Sequence, residues 1–124
     1  SEFPPCFGLY GHFLEEWFDW FDRSRVLVLS YDELTNDPDT LKGRVADFLG
    51  LEKSKIEEGK ISKTANKHAT TSKVTKPGCT VNEKLKATFD KPNIDLYGLL
   101  ERRPGPPMEQ RPFPKFVEPE CEGA

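Results

Sequence analysis

The run Arg25-Val26-Leu27-Val28-Leu29-Ser30-Tyr31 constrains this chain more than any other segment. Four consecutive apolar residues without polar alternation read as a strand buried on both faces, the kind found inside parallel sheets. Such a strand exposes N–H and C=O groups along both edges, and neighbours must satisfy them. No second run of that character follows: Ile61 and Val74, the nearest candidates, sit among lysines and polar residues. The expected fold class is therefore an α/β fragment, mostly helical with one buried parallel-type strand. Its sheet would be completed by more of the same protein or by another subunit.

Helices are expected on both sides of that run. Leu9, Phe13, Trp17, Trp20 and Phe21 recur at helical spacing with Glu15, Glu16, Asp19 and Asp22 between them, which predicts a helix over about residues 8–22 with an aromatic, core-filling face. Asp37 as N-cap, Pro38 at the first helical position and Gly50 past the end frame a second helix over 38–49, where Leu41, Val45, Phe48 and Leu49 share a face. Ser54 and Glu57 have capping-box spacing for a short third helix, and residues 59–78 then form a long basic loop. Thr80 and Glu83 repeat the capping box. Pro92 is expected to separate two short helices, one with Leu85 and Phe89, the other with Ile94, Tyr97, Leu99 and Leu100.

The chain then changes character, so its organisation is read as residues 1–101 followed by a tail over 102–124. Six prolines, at 104, 106, 107, 112, 114 and 119, rule out helix and sheet there and leave an extended segment. Order in such a segment has to come from contact. Phe113 and Phe116, set among Pro112, Pro114 and Lys115, are the anchors best suited to binding, with a partner protein as the expected surface and the chain's own helices as the alternative.

At 124 residues the chain is one folding unit at most, and a net charge of −3 argues against generic nucleic-acid binding. Charge is unevenly spread: residues 15–39 hold eight carboxylates against Arg23 and Arg25, whereas residues 53–76 hold seven lysines against Glu57 and Glu58. The second stretch suits an anion. Cys6, Cys79 and Cys121 are too few and too scattered for a metal site or a disulfide framework, and allow at most one internal bridge. No apolar stretch reaches membrane-spanning length and no signal-peptide order opens the sequence, so the compartment stays open.

Several blocks have a family wording. Tyr10-Gly11-His12-Phe13-Leu14 with Trp17 and Phe21, the apolar run into Tyr31-Asp32-Glu33-Leu34, Asp37-Pro38, and Phe48-Leu49-Gly50-Leu51 resemble sulfotransferases of the heparan-sulfate type and their microbial and algal relatives. A second block, Leu85, Phe89, Pro92-Asn93 and Leu96-Tyr97 with Leu99-Leu100, resembles that family's closing segment. Together they cover about residues 8–101. The resemblance implies the C-terminal portion of a three-layer, P-loop-like fold, and a Golgi-lumen location if the chain follows that family. An unrelated helical interaction domain is the remaining alternative.

The resemblance also implies a chemistry: transfer of a sulfuryl group from 3'-phosphoadenosine-5'-phosphosulfate to a hydroxyl or amine. That reaction needs a phosphate cradle of backbone N–H groups, a lysine for the leaving phosphate and a base for the acceptor. The sequence holds no G-x-x-x-x-G-K-[ST] loop, so no catalytic residue is assigned and no donor is expected to bind this chain alone. Asp32, Glu33 and His12 read as structural. The one donor-binding element left is the basic loop, where Lys67, Thr71, Ser72, Lys73 and Lys76 offer cations and hydroxyls to phosphate oxygens. The expected function is that of a non-catalytic structural or interaction subunit. Membership of an active sulfotransferase as its C-terminal part is the alternative.

Overall fold

A computed structural model describes residues 8–57, 78–118 and 120–121. Its helices are α1 (Tyr10–Trp20), α2 (Tyr31–Asn36), α3 (Pro38–Leu49), α4 (Lys53–Glu57) and α5 (Cys79–Arg102), with a 3-10 turn at Arg23–Arg25. The helices fall into two packed groups, α1 against α5 and α2 through α4 on one another.

Gly11 sets the first group. A Cβ at that position would lie 3.1 Å from the Leu96 Cα and 3.2 Å from its N, so the helix backbones approach more closely than a side chain permits. This close approach chooses which face of α1 is buried. Gly11, Leu14 and Phe18, spaced three and four apart, turn inward and join Leu96, Leu99 and Leu100 of α5 in the core, with Val26, Val28, Phe113 and Phe116 packed around them. The expected aromatic face is thereby displaced: Trp17, Trp20 and Phe21 are 58%, 80% and 53% exposed. Leu49, assigned to the core face of α3, is exposed as well.

The described residues contain no β-strand, which overturns the buried parallel-type strand and the α/β fold class built on it. Residues 26–30 are extended, but a ladder needs a second strand and none lies alongside among the described residues. Side chains take that role. The Val28 N–H donates to Glu109 Oε2 at 3.0 Å, and the Val26 carbonyl accepts from Arg23 Nη1 at 2.6 Å. Tyr31, read as the strand's last residue, instead begins α2. Ser30 caps that helix, its hydroxyl accepting from the Asp32 N–H at 3.2 Å.

The remaining helices follow local signals more closely. Asp37 caps α3 through Thr40, Pro38 occupies the first helical position, and Gly50 closes the helix at φ 68. Leu41, Ala46 and, on α4, Ile56 form the buried side of the second group. At the other end of the chain, α5 continues through Pro92 without division, contrary to the two helices expected there. Proline inside a helix costs about 3 kcal/mol. Burial of Leu96, Leu99 and Leu100 immediately beyond Pro92 offsets that cost, because it requires this turn to stay helical and in register with α1.

The arginine-held tail and the groove beside it

After α5 the chain carries many carbonyls and, at its prolines, no N–H groups with which to build structure of its own. Arginine supplies donors without competing acceptors, and four arginines hold this segment. Arg23 donates from Nε to the Arg103 carbonyl at 2.8 Å, from Nη1 to Val26, and from Nη2 to Glu109 Oε1 at 2.5 Å. Its guanidinium lies 4.3 Å from the centre of the Phe18 ring. Arg103 also faces that ring, at 5.5 Å, and donates to the Phe18 carbonyl at 2.7 Å and to Asp19 Oδ1 at 2.9 Å. Arg44, paired with Glu33 at 2.6 Å, reaches the Met108 carbonyl at 2.8 Å and so ties α3 to the tail. Arg111 bonds to the carbonyls of Gly105 and Pro106.

Glu109 is the centre of this arrangement. It is 5% exposed, and each carboxylate oxygen is engaged, one by Arg23 and one by the Val28 N–H. A single tail residue therefore fixes both the 3-10 turn after α1 and the extended segment leading to α2. None of this is visible as a sequence motif, since Arg23 and Glu109 are 86 positions apart.

Beyond residue 112 the tail is held differently. The Phe116 N–H donates to the Tyr97 hydroxyl at 2.8 Å, and the Phe116 ring packs against Tyr97, Tyr10 and Phe113 at centroid distances of 5.8, 6.3 and 6.2 Å. Lys86 pairs with Glu118 at 2.7 Å in the open, and that hydrogen bond holds the lysine's proton more tightly than usual. A disulfide joins Cys79, the first residue of α5, to Cys121. Phe113 and Phe116, expected to bind a partner, thus pack within their own chain.

Between α5, the N-terminal ends of α1 and α2, and this part of the tail lies a groove of about 1190 Å³. Tyr10, Phe89, Tyr97 and Phe116 give it aromatic walls. Asp32, Glu83, Asp90, Glu101 and Glu118 on its surface outnumber Lys86 and Lys115, so the groove is a poor seat for a polyanionic nucleotide. The residues assigned to the donor, Lys67, Thr71, Ser72, Lys73 and Lys76, lie outside the described residues. Of the acidic and basic side chains read as structural, Glu33 pairs with Arg44 and His12 packs edge-on to Phe13 at 5.3 Å. Among the described residues no cluster of three metal-ligating side chains occurs, and no helix is long and apolar enough to cross a membrane.

A sulfotransferase-domain family model matches residues 5–93, which takes in α1 through α4, the basic loop and the first half of α5. This chain belongs to the sulfotransferase-domain family. Two curated relatives agree: heparan sulfate glucosamine 3-O-sulfotransferase 6 of mouse and its human counterpart are each 44% identical to the chain over 46 residues. The match covers 37% of this chain and 14% of each relative, so the chain spans a small part of the length of the proteins it resembles. No solved structure matches it significantly. The family in general uses 3'-phosphoadenosine-5'-phosphosulfate as sulfuryl donor. The matched residues of this sulfotransferase-family chain include α1 and the first half of α5, while the tail that braces them lies beyond the match.

Proposed function

We propose that the chain works in sulfuryl transfer, as the C-terminal part of a transferase whose acceptor is a hydroxyl of a glucosamine-containing polysaccharide. In this reading Lys67, Thr71, Ser72, Lys73 and Lys76 meet the phosphates of the donor nucleotide, and α4 and α5 flank that basic loop in the chain. The family match across residues 5–93, which includes the loop, carries the proposal. The names of the two relatives support the acceptor class. Charge supports the division of labour, because the lysine-rich loop suits a polyanion and the carboxylate-rich groove does not.

Against the expectation that no donor binds this chain alone, the reading requires the loop to hold the nucleotide phosphates by itself, and titration calorimetry of the chain with 3'-phosphoadenosine-5'-phosphate tests it. Binding that weakens with added salt and falls at least about tenfold when Lys67, Lys73 and Lys76 are replaced by Ala is the expected result. Equal, salt-insensitive affinity in both proteins, or no binding to either, overturns it.

A second reading, a non-catalytic interaction subunit, is favoured by Trp17, Trp20 and Phe21. These side chains leave the outer face of α1 apolar and exposed, as buried faces of assemblies are before their partner docks. It requires a stable complex, absence of nucleotide binding, and loss of that complex on Trp17→Ala and Trp20→Ala substitution.

A further inference from the structure

The Cys79–Cys121 bridge lies far from the α1–α5 core. Cys79 precedes Leu96 by 17 residues of continuous helix, about 25 Å at 1.5 Å per residue, and the buried leucines are at the opposite end of α5. What the bridge does constrain is the outer half of the tail. Up to Glu109 the tail is fastened by half-buried guanidinium contacts that owe nothing to the cysteines. From Phe113 onward no guanidinium clamp is seen among the described contacts, which include a hydrogen bond to the Tyr97 hydroxyl, edge-on and tilted aromatic packing of Phe113 and Phe116 at the rim of the core, and the Lys86–Glu118 pair, whose side chains are 53% and 71% exposed. An exposed pair of that kind adds little. Cys121 itself is exposed while Cys79 is half-buried, so an external thiolate has an open sulfur to attack.

We propose that this disulfide is a thiol-responsive latch on the outer tail. A dithiol reductant attacks the bridge through one thiolate, forming a mixed disulfide with one cysteine and releasing the other. Its second thiol then resolves the mixed disulfide. Two electrons and two protons pass to the protein, Cys79 and Cys121 become free thiols, and the reductant leaves as its own disulfide. With the far end untethered, the outer tail regains chain entropy that its half-buried and exposed contacts do not match. Phe116 withdraws from Tyr10 and Tyr97, and the aromatic wall of the groove opens. The clamp at Glu109 and the packing of α1 on α5 persist, and the core loses only the rings at its rim, so the change is local. Such a latch would operate whether or not the chain takes part in sulfuryl transfer.

Limited trypsin digestion tests it, with the cut after Lys115 followed by mass spectrometry in a Cys6→Ser background that prevents disulfide exchange. Dithiothreitol is expected to speed that cut at least about tenfold, and Cys121→Ser to match the reduced rate without reductant, while helical circular dichroism stays at the oxidised level. Reoxidation restores protection. An unchanged cleavage rate after reduction overturns the proposal, since aromatic packing alone would then hold the tail. Loss of helicity together with protection also overturns it, since the bridge would then be a staple of the whole fold.

Discussion

Replacing Glu109 with Ala strips two donors of their acceptor at once. Arg23 Nη2 loses a partner at 2.5 Å and the Val28 N–H loses one at 3.0 Å, in a place where the two charged side chains are only 10% and 3% exposed. A hydrogen bond to a charged group is worth about 1.5–3 kcal/mol, and a buried donor left unpaired costs about 1–3 kcal/mol. Their sum overlaps the roughly 3–5 kcal/mol measured when one partner of a buried ion pair is removed. A loss of about 4 kcal/mol is expected, which in a chain of 124 residues lowers the melting temperature by about 15 °C. Glu109→Gln keeps one carbonyl acceptor and is expected to lose about half as much. Adding Arg23→Met to Glu109→Ala removes the stranded cation, so the double variant should lose less than the sum of the two single losses. Urea and thermal unfolding followed by far-ultraviolet circular dichroism give all four values. A Glu109→Ala protein within about 0.5 kcal/mol of the parent would refute the claim that this carboxylate organises the tail and the extended segment.

Gly11→Val places a branched side chain against the Leu96 backbone, and overpacking there is expected to cost about 1–3 kcal/mol in the same unfolding assay. A neutral effect would mean that α1 and α5 are not in close contact. Asp22 accepts hydrogen bonds from the Ser24 N–H and, less strongly, the Ser24 hydroxyl, which hold its carboxyl below the ordinary value of 3.8. The folded state therefore binds that proton less readily than the unfolded chain does. The carboxylate's contribution is complete above pH 3.8 and disappears as pH falls through the lower folded value. A carboxyl-carbon NMR titration should show a midpoint below 3.8 that moves part of the way back in Ser24→Ala, and a midpoint at 3.8 in both proteins would remove this cap.

How far the sequence carries can be read residue by residue. Asp37-Pro38 and Gly50 announce the ends of α3 because caps are local chemistry, whereas α2 goes unread, because the apolar run before Ser30 draws attention to a strand. That run is apolar because Val26 and Val28 pack on the core, which an extended segment does whether or not it has a ladder. The aromatic spacing in α1 identifies a helix correctly but not its buried side. Gly11, a residue without a side chain, decides that through its fit to Leu96. Pro92 misleads because its penalty is local while the burial that offsets it comes from another helix. Phe113 and Phe116 are legible as anchors, but the surface they reach is not, and neither is Glu109 as the carboxylate that completes the Arg23 clamp. The single bridge that three cysteines allow is Cys79–Cys121, a pairing that their spacing in the sequence does not select.

The division of labour between basic loop and acidic groove stands or falls on where the sulfuryl donor sits. Amide chemical-shift mapping of the isotopically labelled chain during titration with 3'-phosphoadenosine-5'-phosphate locates it. The predicted result is saturable, salt-sensitive shifts concentrated at residues 67–76, with the amides of Tyr97 and Phe116 unmoved. Shifts centred on Tyr10, Tyr97 and Phe116, or no saturable shifts anywhere, would contradict it.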